Sequence, residues 1–155
     1  MHLLWRIHWR GQPFDGVATS GSGGRWNSVG TRMIYTSTSI ALAALETLVH
    51  LNSSGLPVGR ELLRIVVPDN VWESTEQIVA APGWDMDSTW ISAPQGDAWA
   101  KSGKSLMAIV PSVIVPEEPN VLLNPLHPDF SLIQVVTQRV WTYDPRLFKS
   151  ADPGK

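Results

Sequence analysis

The sequence predicts one α+β domain with a mixed or mainly antiparallel sheet and few helices. Only Thr38–Leu51 has the composition of a helix of moderate length, whereas five or six short segments are rich in residues that favour strands. The chain has 155 residues, most simply one domain, and its helices are too few for a doubly wound parallel sheet. We expect residues 1–150 to form the domain and residues 151–155 to be a frayed tail.

The first predicted strand is Leu3–Trp9, where residues alternate with the period of a half-buried strand. Arg6 lies on its polar face, from which the side chain can point outward or into a cleft. A loop rich in Gly and Ser follows over residues 11–24, and then a short strand, Arg32–Thr36. Near the end of that strand, Tyr35 can place its ring over a flat ligand or lie in the core with its hydroxyl satisfied.

The predicted helix Thr38–Leu51 follows three residues that can act as N-caps, Thr36, Ser37 and Thr38. Its interior is dominated by the good helix formers Ala and Leu. Glu46 is its only Asp, Glu, Lys or Arg, and its neighbours one turn away are mostly apolar. The Glu46 carboxylate therefore either leaves an apolar surface towards a site of chemistry or lies on a narrow solvent stripe beside His50.

The remaining predicted elements are short. Gly and Pro break the chain over Asn52–Gly59, and Asp69–Ser92 is expected to be irregular. A short helix is expected within Pro94–Lys104. The remaining strands are predicted at Arg60–Val67, Ser105–Val110, the sheet-edge segment Ser112–Val115, Asn120–Asn124 and Leu132–Tyr143.

Arg25 follows two glycines in the sequence SGSGGRWN. Glycine lets backbone N–H groups approach an anion, and the planar guanidinium suits phosphate oxygens. The alternative is a flexible loop whose arginine pairs with a surface acid. Neither GxGxxG nor a P-loop is present, so the common dinucleotide folds are not indicated. Taken together, residues 23–46 indicate a site for an anionic ligand that carries a sugar.

Composition excludes several classes of function. The absence of cysteine excludes disulfides, thiolate catalysis and Cys-based zinc sites, and the four histidines lack the close spacing of metal ligands, so no metal is expected. A net charge of −2 without a basic block argues against direct nucleic-acid binding. No apolar run approaches the roughly 18 residues of a membrane span, and we expect a soluble, cytoplasmic protein. Eight Trp and only 17% charged residues suggest that another chain covers part of the surface, or that the Trp side chains fill the core.

Five short motifs occur in a characteristic order: GGRWN, IYTS, ALxxLE, VPSVIVPE and NxLLNPLHPD. In this order they resemble the RES-domain toxins, a family named for its Arg, Glu and Ser. The resemblance covers nearly the whole chain, from WRI in the first strand to DPRLF near the end. The matching positions are Arg25, Glu46 and Ser112. Tyr35 matches the tyrosine of the family, and Asn124 lies in its NPxHPD segment.

The resemblance implies a fold like that of ADP-ribosyltransferases and a toxin of a bacterial toxin–antitoxin pair. Such a toxin degrades NAD+ by cleaving the nicotinamide–ribose bond, through hydrolysis or phosphorolysis. NAD+ is then a substrate, no cofactor is needed, and inorganic phosphate is the co-substrate of phosphorolysis. The implied partners are an Xre-type helix-turn-helix antitoxin and a second copy of the chain in a homodimer. The alternatives are a protein ADP-ribosyltransferase and a non-catalytic nucleotide-binding module.

The same resemblance suggests catalytic roles for three residues. Glu46 would offset the positive charge that develops on the ribose, Arg25 would hold the pyrophosphate, and Ser112 would orient the nicotinamide end. Three further residues are expected to bind the substrate: Arg6, Tyr35 and Asn124.

Overall fold

One mixed sheet organises the computed structural model, which describes residues 1–50 and 57–148. Its strands are β1 His2–Trp9, β2 Ile34–Ser37, β3 Arg60–Val67, β4 Glu76–Gln77, β5 Met107–Pro111, β6 Pro119–Leu123 and β7 Gln134–Trp141. Their spatial order is β4-β5-β6-β2-β1-β3-β7. Of the described pairs, β4–β5 is parallel and the others are antiparallel. This arrangement confirms the predicted α+β class and the mixed sheet.

Helices and single turns connect the strands. The described α-helices are α1 Val17–Ser22, α2 Ile40–Leu48, α3 Asp69–Glu73 and α4 Ser92–Ser102, with 3₁₀ turns at Pro128–Leu132 and Pro145–Phe148. The predicted helix corresponds to α2, whose N-cap is Ser39 and not one of the three residues before it. The Ser39 hydroxyl accepts from the backbone N–H of Leu42 at 3.1 Å. Leu51, most of the predicted break at Asn52–Gly59 and the predicted tail lie outside the described residues.

Three predicted segments differ from the structure. Residues 11–24 contain α1, and residues 69–92 contain α3 and β4, elements too short to show a periodic pattern. The segment Ser112–Val115 is not a strand, because β5 ends at Pro111. The Ser112 hydroxyl instead accepts from the backbone N–H groups of Ile114 and Val115, both at 3.1 Å. A side chain therefore replaces the partners that a neighbouring strand would supply.

Both faces of the sheet are covered. Leu4 and Ile7 lie on opposite faces of β1 and are 0% and 5% exposed, so β1 has buried residues on both faces. The prediction of a strand that is buried on one face only was therefore wrong. Helix α2 packs through Ala43 on the face of Ile7. Phe14 and Phe130 pack against the cluster that contains Leu4. The helix that carries Glu46 is therefore fixed to the sheet by apolar packing.

The sheet opens between β1 and β2. β1 pairs with β3 along its whole length, from His2 to Trp9, but its register with β2 consists of the single pair Trp5–Ser37. Beyond that pair the two strands diverge, and the Arg6 guanidinium donates from Nη1 to the carbonyl oxygen of Tyr35 at 2.8 Å. A side chain thus takes the place of a strand-to-strand hydrogen bond, and a cleft opens there.

None of the helices in the described ranges combines the length and the apolar character that crossing a bilayer requires.

Candidate active site

A cavity of about 920 Å³ lies where the sheet opens between β1 and β2. Its walls come from β1, α1 and the glycine-rich loop after it, β2, α2, the first residue of β3, the last residue of β5, Asn120 of β6 and loop residues at 87, 89, 113 and 114. That volume lies at the upper end of the range for small-molecule sites, which is about 300–1,000 Å³. Four predicted site residues line it: Arg6, Arg25, Tyr35 and Glu46.

The Glu46 carboxylate is anchored through one oxygen only. Oε1 accepts from the Ser112 hydroxyl at 2.7 Å and from Nδ2 of Asn120 at 2.6 Å. No described residue donates a hydrogen bond to Oε2. Because Glu46 is half-buried and lines the cavity, it does not lie on an exposed stripe of the helix. One carboxylate oxygen therefore fixes the orientation of the group, and the other can accept from a ligand.

Both donors to Glu46 are themselves held in place. Ser112 is 0% exposed, and two backbone N–H groups occupy the lone pairs of its oxygen, so its proton is directed at Glu46. Asn120 lies opposite Ser37 in the β2–β6 register, and the Ser37 hydroxyl donates to its Oδ1 at 2.8 Å. Because Oδ1 takes this contact, Nδ2 faces the carboxylate. Ser112 thus reaches the site through Glu46, without lining the cavity itself.

Tyr35 holds the glycine-rich loop. Its hydroxyl donates to Oδ1 of Asn27 at 2.5 Å and accepts from the backbone N–H of Trp26 at 2.9 Å. A Cβ at Gly24 would lie 2.7 Å from that hydroxyl, so only glycine allows this close approach. Burial raises the pKa of the Tyr35 phenol well above its usual value, although the contact with Trp26 opposes the shift. The hydroxyl therefore has a structural role, while the residue lines the cavity.

Arg25 anchors the loop that forms the outer wall of the cavity. Its Nη1 donates to the carbonyl oxygens of Trp84 at 3.1 Å, Met86 at 2.5 Å and Ser88 at 3.5 Å. Its own carbonyl oxygen accepts from the Ser92 hydroxyl of α4 at 2.5 Å. No carboxylate of the described ranges lies within 4 Å of its guanidinium, so Arg25 is not the partner of a surface acid.

Arg6 occupies the opening between β1 and β2. Of the two orientations that the sequence allowed for its side chain, outward or into a cleft, the structure shows the second. Its Nε donates to Nδ1 of His8 at 3.1 Å, while Nε2 of the same ring lies 2.6 Å from the carbonyl oxygen of Gln12. Burial, followed by the nearby positive charge of Arg60, lowers the pKa of Arg6 to about 10. The cavity thus contains a largely desolvated cation that two residues hold in place.

Asn124 does not belong to this group. It is absent from the cavity lining, and its Nδ2 donates to the carbonyl oxygen of Ala100 at 3.0 Å. Its Oδ1 accepts from the backbone N–H of Leu126 at 3.1 Å. Because both ends of the amide bond the backbone, the structure assigns Asn124 to a turn, and the predicted substrate-binding role is not supported.

The cavity lining also contains residues that were not predicted for the site, among them Asn120, Arg60 and Trp9. Asn120 and Arg60 stand at the starts of predicted strands, where a polar residue is too common to be a signal. Trp9 appeared as one more apolar position of the first strand. Among residues 1–50 and 57–148, no three or more His, Asp or Glu side chains are grouped to hold a metal ion.

Comparison with known proteins gives consistent results. The RES domain matches residues 3–145. The chain is 46% identical to the "Prs ADP-ribosylating toxin" of Sphingobium sp. (strain YBL2), over 96% of this chain and 98% of that protein. It is 35% identical to "Toxin Res" of Yersinia enterocolitica, over 94% of this chain and 99% of that protein. Among solved structures, the M. tuberculosis MbcT–MbcA toxin–antitoxin complex matches with a TM-score of 0.62 at 12% identity, over 95% of this chain and 86% of that chain. This last match shows a shared fold.

Proposed function

Because this chain belongs to the RES-domain family, we propose that it is the toxin of a toxin–antitoxin pair and that it degrades NAD+ in the cavity. The proposed reaction cleaves the bond between nicotinamide and ribose. One observation carries this proposal: Glu46 presents to the cavity a carboxylate with one anchored oxygen and one oxygen that has no donor among the described residues, and arginines line the same cavity. Full-length similarity to proteins named as toxins supports the biological role.

The chemistry needs such a carboxylate. When the C–N bond breaks, its electron pair leaves with nicotinamide, and the ribose gains oxocarbenium character. Oε2 of Glu46 accepts from a ribose hydroxyl, and its negative charge offsets the positive charge as that charge grows. A preorganised contact of this kind contributes about 3–4 kcal/mol to the transition state. An oxygen of water or phosphate then bonds to the ribose carbon, and an attacking water molecule loses its proton to the solvent.

The charge of the cavity suits the rest of the substrate. Arg6, Arg25 and Arg60 line it together with two carboxylates, Glu46 and Asp87. None of these arginines lies within 4 Å of a carboxylate among the described residues. Guanidinium groups without a carboxylate partner favour a pyrophosphate, which carries the two negative charges of the dinucleotide.

Release of nicotinamide tests the proposal directly. Purified protein is incubated with NAD+, with and without inorganic phosphate, and free nicotinamide is measured. The wild type is expected to release nicotinamide, and Glu46→Gln is expected to fold and to lose about 100-fold or more in kcat, because the neutral amide cannot offset the charge. A folded wild type without turnover in either buffer would refute the proposal, and a fully active Glu46→Gln would remove Glu46 from the mechanism.

A second candidate is protein ADP-ribosylation, which the name of the 46%-identical relative favours. The same bond breaks, but a protein side chain attacks the ribose. Labelled NAD+ that leaves a labelled protein band in a cell extract would support this candidate. NAD+ that binds without cleavage would instead indicate a non-catalytic nucleotide-binding module.

Two partners complete the proposal. We infer an Xre-type antitoxin that closes the cavity and a homodimer of the toxin, both from the family resemblance. The solved neighbour is a toxin–antitoxin complex, which supports the antitoxin as a class of partner. Co-expression with a candidate antitoxin should suppress nicotinamide release and yield a stable complex on size-exclusion chromatography.

A further inference from the structure

Within the part of the chain that the structure describes, Arg60 makes fewer side-chain hydrogen bonds than the other two cavity arginines, Arg6 and Arg25. It lies at the first position of β3, directly opposite Trp9 at the end of β1. Its Cζ lies 3.4 Å from the centroid of the Trp9 ring, so the guanidinium is stacked on the indole. Its Nε is buried, and no atom of residues 1–50 or 57–148 accepts a hydrogen bond from it. Stacking fixes the plane of a guanidinium and leaves its N–H edge free.

The other two cavity arginines are partly engaged by the protein. Nη1 of Arg25 is shared among three carbonyl oxygens of the wall loop, and Arg6 donates through both Nη1 and Nε. Arg60 lines the same cavity, and its Nε has no acceptor among residues 1–50 and 57–148. Buried donors without partners are uncommon in folded proteins, and a planar fork of five N–H groups suits the oxygens of a phosphate.

Arg6 and Arg60 also interact electrostatically. The positive charge of Arg60 contributes to the lowered pKa of Arg6, after burial, and burial likewise lowers the pKa of Arg60. Two cations that share a cavity destabilise each other until an anion lies between them. No described carboxylate lies within 4 Å of either cation, so a bound anion would relieve this repulsion.

We propose that Arg60, stacked on Trp9, is the main phosphate-binding residue of the cavity and that Arg6 assists it. The identity of the phosphate compound rests on the function proposed above. The group that binds is a phosphate of the dinucleotide or the inorganic phosphate that attacks the ribose. In either case, the structure places this subsite at the junction of β1 and β3, while Glu46 projects from α2.

Calorimetric titration of the full chain tests the subsite without turnover. The probes are ADP, inorganic phosphate and adenosine, which lacks phosphate. Arg60→Met keeps the length of the side chain and its apolar contact with Trp9 but removes the charge and the donors. Arg139→Met is the matched control, since the Arg139 guanidinium is also stacked on a tryptophan, 4.5 Å from the ring of Trp141, and does not line the cavity.

The expected result is a loss of at least about tenfold in affinity for ADP in Arg60→Met, with unchanged affinity for adenosine. Arg60→Lys should fall between wild type and Arg60→Met, because it keeps the charge but not the planar fork. Arg139→Met should bind as wild type. Loss of inorganic phosphate binding with Arg60→Met would assign the subsite to the attacking phosphate, whereas loss for ADP alone would assign it to the dinucleotide.

Three results would overturn the subsite: wild-type protein that binds neither ADP nor phosphate, Arg60→Met that binds both as wild type does, or an equal loss for adenosine. Thermal unfolding of each variant shows whether it is folded. If Arg60→Met does not fold, Arg60→Lys still provides a decisive test. ADP binding that depends on Arg60, in a protein that releases no nicotinamide from NAD+, would support the subsite and refute the proposed reaction.

Discussion

Asn120→Ala tests whether the orientation of Glu46 matters to the reaction. The substitution removes the Nδ2 donor that lies 2.6 Å from Oε1 of Glu46 and leaves the Ser112 hydroxyl as its only described donor. It also frees the Ser37 hydroxyl, whose acceptor is the Asn120 amide. With one anchor lost, the carboxylate can rotate, and Oε2 no longer has a fixed position in the cavity.

The size of the effect follows from the geometry. A hydrogen bond to a charged group contributes about 1.5–3 kcal/mol, so kcat should fall by about 10- to 100-fold. Asn120→Asp should be more severe. It places a second carboxylate beside Glu46, and two charges about 4 Å apart repel by about 4 kcal/mol at an effective dielectric constant of 20. The pair then tends to hold a proton, so the acid limb of the activity profile should move to higher pH than in the wild type.

Nicotinamide release at varied NAD+ concentration and pH measures both variants. Because Asn120 acts through Glu46, kcat should fall while KM for NAD+ stays within about threefold. The control is Asn124→Ala, an asparagine just past the other end of β6 whose amide bonds only the backbone. It should lower the unfolding temperature and leave kcat near the wild-type value. Wild-type kcat in folded Asn120→Ala would refute the positioning role.

Two further predictions concern residues that hold the cavity walls. Gly24→Ala should destabilise the protein by about 1–3 kcal/mol and lower activity, because the new Cβ would lie 2.7 Å from the Tyr35 hydroxyl. The control is Gly21→Ala, where the space around the new Cβ is open. Equal thermal unfolding curves for the two variants would contradict this reasoning. Burial, together with the positive charge of Arg6, keeps the pKa of His8 below 6.5. Its contribution to stability is therefore complete above about pH 6.5 and is lost as the pH falls below that value. Thermal unfolding at pH 7.5 and 5.5 should show a larger decrease for wild type than for His8→Gln, and equal decreases would remove His8 as the cause.

Local patterns were sufficient to predict the fold class and most elements. The Ala- and Leu-rich composition placed α2, and the run of apolar residues in Arg60–Val67 matches β3 at both ends. Ser112–Val115 shows where such patterns fail. Its β-branched residues favour a strand, but the Ser112 hydroxyl takes up two backbone N–H groups and ends the strand. Whether a side chain or a neighbouring strand accepts these backbone hydrogen bonds depends on the position of that strand. Residue propensities carry no information about that position.

The site was only partly accessible from the sequence. Glu46 was visible because a single acid in an apolar helix is a local contrast. Asn120 was not, because it contacts Glu46 across 74 positions of sequence. Asn120 and Asn124 both stand next to the ends of one strand, and only the β2–β6 register shows which end faces the cavity. A family motif that contains both residues cannot make this distinction.

The Arg6 side chain links the opening of the sheet to the positive charge of the cavity, so one substitution there changes both. A sheet that opens between neighbouring strands leaves backbone groups without partners, and a buried unpaired group costs about 1–3 kcal/mol. Arg6 offsets this cost at the Tyr35 carbonyl and, with the same guanidinium, adds positive charge to the cavity. A substitution at Arg6 therefore changes stability and ligand binding together, and a loss of activity there has two explanations. Arg60 has no such backbone contact within the described residues, so it is the position at which the charge of the cavity can be changed while the opening of the sheet is preserved.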